Sequence, residues 1–410
     1  MVVTLAACRG RTPAVDWKPG PGTSAEMAAL LLLDQDGAAK VVCLPGGTPA
    51  RQPFPGVALK RILDVSWPMI AGWAADPGSQ SELVLLRPNA GPHRTAKNVR
   101  AARFSPDGAA LAYEIGQPPN GGSPLVPATS YVLDIATGNV TELDAFENPL
   151  WEADGKHLRA THLRPASGKH PTPDARWISL RARWDRESGT STIEGRGSAQ
   201  IPAPVGGAVA WSEEQRRTSA LPQCTIFLNR WGGVRHAIVG RFCMGIADDR
   251  SVRWSPNGHW LAFPHPGPVP GLGKPGGAFV DVVSVEGGRY PALSAVYSRA
   301  RPDQIAIVAD PGSVWFDWSA SGRFLAAHDG ASDLRVYDFE ARGMALLGKG
   351  QKPMWSPQGA YLLILAAGSA EANGAAVEAF VLSGVAPTAK IALGLVRDAR
   401  WLPAQACEQR

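Results

Sequence analysis

The chain has 410 residues, 45% of them hydrophobic and 19% charged, with 45 glycines, 36 prolines and a formal net charge of +5. So many turn-forming residues suit short strands joined by tight turns and argue against a long-helix bundle. The mild positive charge argues against a general nucleic-acid binder, and no apolar run is long enough to form a membrane-spanning helix.

The chain opens on Leu5-Ala6-Ala7-Cys8, which resembles the lipobox that closes a bacterial lipoprotein signal peptide. Small residues ahead of the cysteine let a peptidase reach the backbone, and the thiol then carries diacylglycerol. A basic n-region is missing and the apolar stretch is short, so the start codon is expected upstream. Residues 1–8 are read as a residual signal segment ending at lipidated Cys8, and 9–27, opening on a run rich in Pro, Gly and Arg, as a flexible tether. Arg9 is not the aspartate associated with inner-membrane retention, so the resemblance implies the periplasmic face of the outer membrane. The competing reading is a buried strand with a chance cysteine.

Residues 28–410 read as one repeating domain. Residues 29–44 form two apolar strands around Asp36-Gly37, and hairpins of this kind return at 131–143, 224–239, 282–293 and 334–347, with weaker members at 82–94, 177–193 and 379–393. Between them stand segments of a second kind. In Arg253-Trp254-Ser255-Pro256-Asn257-Gly258 the proline presets φ for a type I turn, Gly258 takes the left-handed position, and Leu261-Ala262-Phe263 begins the return strand. Near-copies begin at Phe104, Trp151, Trp318 and Trp355, and weaker ones at Trp67, Trp211 and Trp401. Neighbouring starts lie from 37 residues apart (Trp67 to Phe104) to 64 (Trp254 to Trp318). That spacing brackets a four-stranded propeller blade. The fold class is therefore all-β, a single β-propeller, with eight blades favoured. Seven is the alternative, because the Trp67 and Trp211 segments lack the Ser-Pro-x-Gly turn. The domain begins on an outer hairpin and ends on an inner strand at 399–402, so the N- and C-terminal strands are expected to pair and close the ring.

These aromatic-Ser-Pro-Asp-Gly repeats, with Leu-Ala-Phe or Leu-Ala-Tyr following, resemble those of the TolB-like β-propeller family over most of the chain. The resemblance implies the fold and carries no catalytic residue. Together with the lipobox it leads to the expectation of a non-catalytic, lipid-anchored scaffold for protein partners of the cell envelope, in which the anchor is a departure from the soluble TolB pattern. Fold alone does not transfer a partner.

The chemistry expected from motifs is sparse. One tryptophan per inner strand reads as packing between blades. There is no G-x-S-x-G elbow, no H-E-x-x-H and no C-x-x-C, so no catalytic residue, cofactor or metal is assigned. His259 and His265 flank the strand at Trp260 and read as solvated. The stretch 156–186 is strongly basic; alternation puts Arg181 and Arg183 on one face with Arg159 beside them, a candidate surface for an anionic partner, the competing reading being a solvated insertion. Four cysteines remain after Cys8. Terminal pairing would bring Cys43 to Cys407, and one hairpin would bring Cys224 to Cys243; four buried thiols are the other possibility. The alternative function is a propeller enzyme with a polar central funnel acting on a carbohydrate or small metabolite.

Overall fold

A computed structural model describes residues 28–44, 54, 57–75, 81–88, 90–116, 128–143, 145–165, 177–197, 200–205, 208–215, 223–229, 235–239, 252–267, 277–284, 315–328, 333–339, 343–359, 361–367, 377–383 and 390–407. Cys8, the tether and Cys243 lie outside the described residues, as does the side chain of Cys224.

The described residues are strands apart from turns and one 3-10 turn at Ala404–Cys407. Strands β1 (Ala28–Asp34) and β2 (Ala39–Leu44) form the first hairpin. Strands β3 (Leu59–Ser66), β4 (Met69–Ala74), β5 (Leu83–Leu86) and β6 (His93–Ala96) make one four-stranded sheet. The next holds β7 (Val99–Phe104), β8 (Ala110–Ile115), β9 (Thr129–Asp134) and β10 (Val140–Leu143). A third holds β11 (Phe146–Trp151), β12 (His157–Pro165), β13 (Trp177–Asp185) and β14 (Ser191–Arg196). A fourth holds β15 (Ile201–Pro202), β16 (Val209–Gln215), β17 (Gln223–Asn229) and β18 (Arg235–Val239). Strands β19 (Arg253–Trp254), β20 (Trp260–Gly267) and β21 (Gly277–Ser284) form a three-stranded sheet. Strands β22 (Phe316–Trp318), β23 (Phe324–His328), β24 (Asp333–Asp338) and β25 (Gly343–Lys349) form the fifth four-stranded sheet. Last come β26 (Gln351–Trp355), β27 (Tyr361–Ala367), β28 (Val377–Ser383) and β29 (Lys390–Leu402). Every pairing is antiparallel between chain neighbours except one: β1 pairs with β29, giving a six-stranded sheet ordered β2-β1-β29-β28-β27-β26.

The architecture is an all-β propeller arrangement. Its blade count corrects the expectation of eight or seven: five complete four-stranded blades are formed by the described residues, within seven sheets. The spacing misleads because β29 runs 13 residues without a break, pairing with β28 through its first half and with β1 through its second. Two repeat positions thereby become one hydrogen-bonded sheet. Two inner segments are also reassigned. Trp211 belongs to β16, the second strand of its sheet, and Trp67 sits in the turn after β3, because neither carries the Ser-Pro-x-Gly sequence that sets the phase.

That turn is built the same way wherever it occurs. The buried hydroxyls of Ser105, Ser255, Ser319 and Ser356 accept the N–H of Ala110, Trp260, Phe324 and Tyr361, five residues on, at 2.9–3.0 Å. Gly108, Gly258, Gly322 and Gly359 donate to the same serines' carbonyls at 2.8 Å with φ between 69° and 75°. The serine is thus a clip that satisfies a strand-end donor no ladder reaches.

The core lies between sheets. In β1 the leucine run is buried on both sides: Leu31 and Leu33 pack with Ile62, Ile70 and Val84, whereas Leu30 and Leu32 pack with Leu363 and Leu365. Further clusters fill the wedges between later neighbours, as at Phe316, Trp318 and Ala262. Tryptophan ties the wedges to the backbone. The indole N–H of Trp151 donates to Arg103 O, of Trp254 to Ile201 O, of Trp318 to Arg253 O and of Trp401 to Met354 O, at 2.8–3.3 Å. In each case the acceptor lies on the preceding innermost strand, so one side chain supplies both apolar area and a directed bond.

Cys43 on β2 and Cys407 in the 3-10 turn form a disulfide, with Cα atoms 5.9 Å apart and 364 residues between them. Cross-linking so distant a pair removes much freedom from the unfolded chain, about 5 kcal/mol at most in the loop-entropy model. Cys407→Ser, or reduction of the wild type, is expected to lower the melting temperature by several degrees, measured by scanning calorimetry; an unmoved transition would refute the assignment. Trp254→Ala is expected to cost about 3–5 kcal/mol in chemical denaturation, since it opens a wedge and orphans the Ile201 carbonyl.

Candidate functional site: the central cavity

The innermost strands of the seven sheets, β3, β7, β11, β15, β19, β22 and β26, together with the end of β29, surround a cavity of about 570 Å³. Its wall is set by strand alternation. The residue ahead of each repeat aromatic reaches the cavity: Arg103, Leu150, Arg253, Asp317, Met354 and Arg400. Asp64 takes the equivalent place on β3. Register explains the room they have, because Asp64, Arg103, Arg253 and Asp317 stand opposite Ala71, Ala112, Ala262 and Ala326. The alanine of the Leu-Ala pair in the return strand keeps space beside a charged neighbour.

The carboxylates of the wall hold one sheet to the next. Asp64 Oδ2 accepts Phe104 N–H at 2.7 Å, Asp317 Oδ2 accepts Trp355 N–H at 2.8 Å, and Glu114 Oε1 accepts Asn148 N–H at 2.6 Å. Asp398 does the same from β29, accepting Ile62 N–H at 3.2 Å. Arginines complete the pattern: Arg253 Nη1 lies 2.5 Å from Asp317 Oδ1, and Arg400 Nη1 donates to Asp398 Oδ1 at 3.1 Å. Burial pushes the carboxyl groups of Glu114 and Asp317 above their usual range, in Asp317 against the pull of Arg253. Sequence reading missed this wall because it followed the aromatic of each repeat rather than the residue before it, which is where the signal lies.

The basic surface expected from 156–186 has its arginines engaged internally. Arg159 and Arg183 are register partners, as alternation requires, and both ion-pair with Glu152, at 2.7 and 2.9 Å. Arg181 stacks its guanidinium 4.9 Å over the Trp211 ring of the next sheet and donates to Arg196 O. These contacts join strands and sheets, so the three do not project as a free cationic face. Charge count and alternation do not reveal that Glu152 lies against Arg159 and Arg183, or that Trp211 lies against Arg181.

Glu152, Asp154 and His157 bring three ligand-type atoms within 4.8 Å of one another. Their lone pairs are already used. Glu152 is taken by the two arginines, and His157 is bracketed by carboxylates, Nδ1 at 2.6 Å from Asp154 Oδ2 and Nε2 at 3.0 Å from Asp185 Oδ2. The hydrogen bond that His157 donates to the Asp154 carboxylate raises the His157 pKa above its ordinary 6.5. Asp154 feels an opposing burial effect, outweighed by the His157 bond and the N–H groups of Lys156 and His157, which hold it down to about 2. The arrangement is an ion-pair network bridging strand ends.

No protein-family model matches the chain. No curated protein matches it either. Among solved structures it is similar to a eukaryotic initiation factor at 12% identity and TM-score 0.51, covering 92% of this chain and 98% of that one. An oligogalacturonate lyase in complex with manganese has 14% identity and TM-score 0.47, covering 87% and 96%. The β-propeller domain of the Trilobed protease from Pyrococcus furiosus has 12% identity and TM-score 0.44, covering 82% and 98%. At these identities the likeness concerns fold alone, and the last two scores carry no argument.

The network around His157 has a defined pH dependence. A folded-state pKa raised above 6.5 contributes stability that is complete below 6.5 and fades as pH rises through the folded value. Asp154 contributes above its ordinary 3.8 and loses that contribution as pH falls through about 2. The melting temperature difference between wild type and His157→Gln is therefore expected to be largest near about pH 5 and to shrink toward about pH 9. A difference that does not vary with pH would remove the imidazolium from the account.

Proposed function

We propose that this chain is a non-catalytic, TolB-like propeller that serves as a protein-interaction scaffold in the cell envelope, anchored by a lipid on Cys8 at the periplasmic face of the outer membrane. The observation that carries the reading is the commitment of the cavity carboxylates: Asp64, Asp317 and Glu114 each accept a backbone N–H of a neighbouring strand, as a structural brace requires. The Cys43–Cys407 disulfide supports export, since such bonds persist in oxidising compartments. Leu5-Ala6-Ala7-Cys8 supports the anchor. The partners are envelope proteins met on the rims of the ring.

A second reading, an enzyme acting on a carbohydrate or small metabolite, has one observation in its favour. Glu114 lines the cavity with its pKa raised by burial, as a general acid requires.

Expression of the full open reading frame with radiolabelled palmitate tests the anchor. Label is expected on the wild type and absent from Cys8→Ser, and outer-membrane fractionation is expected to be lost with it. An unlabelled wild type would dismiss the anchored form. In-cell photocrosslinking from rim positions then tests the scaffold, a discrete adduct with an envelope protein being the expected outcome.

A further inference from the structure

The wall of the central cavity holds five arginines and three carboxylates. Each carboxylate is already used in a strand-to-strand bond, and Arg253 and Arg400 are held by Asp317 and Asp398. Two of the other three, Arg100 and Arg61, are in a different state. Arg100 is exposed to the cavity and makes no hydrogen bond or ion pair among the described residues, only a longer-range interaction with Glu114. Arg61 lies 5.5 Å over the ring of Trp73, and both its Nε and the Trp73 Nε1 are buried without a hydrogen-bond partner among the described residues. Buried donors of that kind are rare, and each calls for an acceptor.

Local backbone geometry sets Arg100 apart. The register of β7 shifts between Val99 and Ala101, so that Arg100 is left without a cross-strand partner. β3 shifts between Leu59 and Arg61, where Lys60 is left out and Arg61 resumes the pairing opposite Trp73. β11 and β26 shift at the same place, between Glu147 and Leu150 and between Gln351 and Met354. Such bulges re-aim side chains and gather beside binding sites. On β26 the shift carries Lys352, whose ammonium lies 5.1 Å over the ring of Trp315, itself part of the wall.

From these observations we infer that the central cavity binds a small polyanion, a molecule bearing two or more carboxylate or phosphate groups. Its oxygens would accept from Arg61 and Arg100, both in the wall. A volume of about 570 Å³ falls in the range of small-ligand sites, and a cleft of one predominant sign concentrates counter-charged solutes. An acidic protein face would reach only the rim, whereas Arg61 and Arg100 lie in the wall. This goes beyond the scaffold reading and does not depend on it.

Isothermal titration of the full chain at low salt, with citrate as the carboxylate probe, pyrophosphate as the phosphate probe and a neutral disaccharide as control, tests the site. One anion is expected to bind with unit stoichiometry and an affinity that weakens as salt rises, while the sugar does not bind. Preference for citrate or for pyrophosphate identifies the chemistry. Arg100→Gln is expected to weaken binding about tenfold and Arg61→Gln with Arg100→Gln further, with unchanged circular dichroism. Lys156→Gln, on the outer network, is expected to leave it unchanged. Absence of binding for both probes at millimolar concentration, affinity unaffected by Arg100→Gln, or displacement only by polyglutamate would each overturn the proposal. The Arg100 variant keeps the test independent of folding, because that side chain makes no internal bond.

Discussion

Every sheet of this protein depends on its neighbours to bury both of its faces. A four-stranded antiparallel sheet of this size is marginal alone, and the wedge between adjacent sheets is where apolar area leaves water. The tryptophans at the ends of the innermost strands fill those wedges, and their indole N–H groups bond to the carbonyls of the preceding strand. Directional bonding matters here, because packing alone would let two wedge-shaped surfaces slide. The terminal hairpin has no sequence neighbour on one side, and β29 supplies that neighbour by continuing from one sheet edge to the next. The disulfide stands at the same junction, beside Leu402 and Ala29 in the shared cluster.

Charge inside the molecule follows from the same construction. Innermost strands of adjacent sheets are too splayed to form a ladder, so some of their N–H groups need other acceptors. Asp64, Asp317, Asp398 and Glu114 meet that need, and arginines balance the buried negative charge. A cavity wall rich in ionisable groups is therefore not by itself an active site. What distinguishes Arg61 and Arg100 is that the bracing does not use them, whereas Arg159 and Arg183, more prominent in the sequence, share an ion pair with Glu152.

Much of the fold was legible in the chain before any coordinates. Ser-Pro-x-Gly fixes a turn locally: proline sets one φ, glycine permits the left-handed residue, and the serine hydroxyl closes the clip, all within six residues. Its recurrence with an aromatic before it and Leu-Ala after it is enough to specify an all-β propeller arrangement with tryptophan between sheets. Pairing of Cys43 with Cys407 follows from which hairpin begins the domain and which strand ends it. These are matters of short range or of topological order, and sequence carries both.

The rest belongs to tertiary structure. Whether two repeat positions remain separate sheets or fuse through β29 depends on how far a strand continues past its last partner, which no local motif encodes. The fate of each arginine was equally hidden, since a guanidinium is matched or left free according to what lies across the strand or on the next sheet. Glu152 is 31 residues from Arg183 and directly bonded to it, while Asp398 is 336 residues from the N–H of Ile62 that it accepts. The sequence by itself determined the hairpins, their order and the aromatic wedges, because those rest on dihedral preferences and alternation. Only the folded chain decided which charges brace neighbouring sheets and which face the cavity, because that depends on distances between residues the chain order keeps far apart.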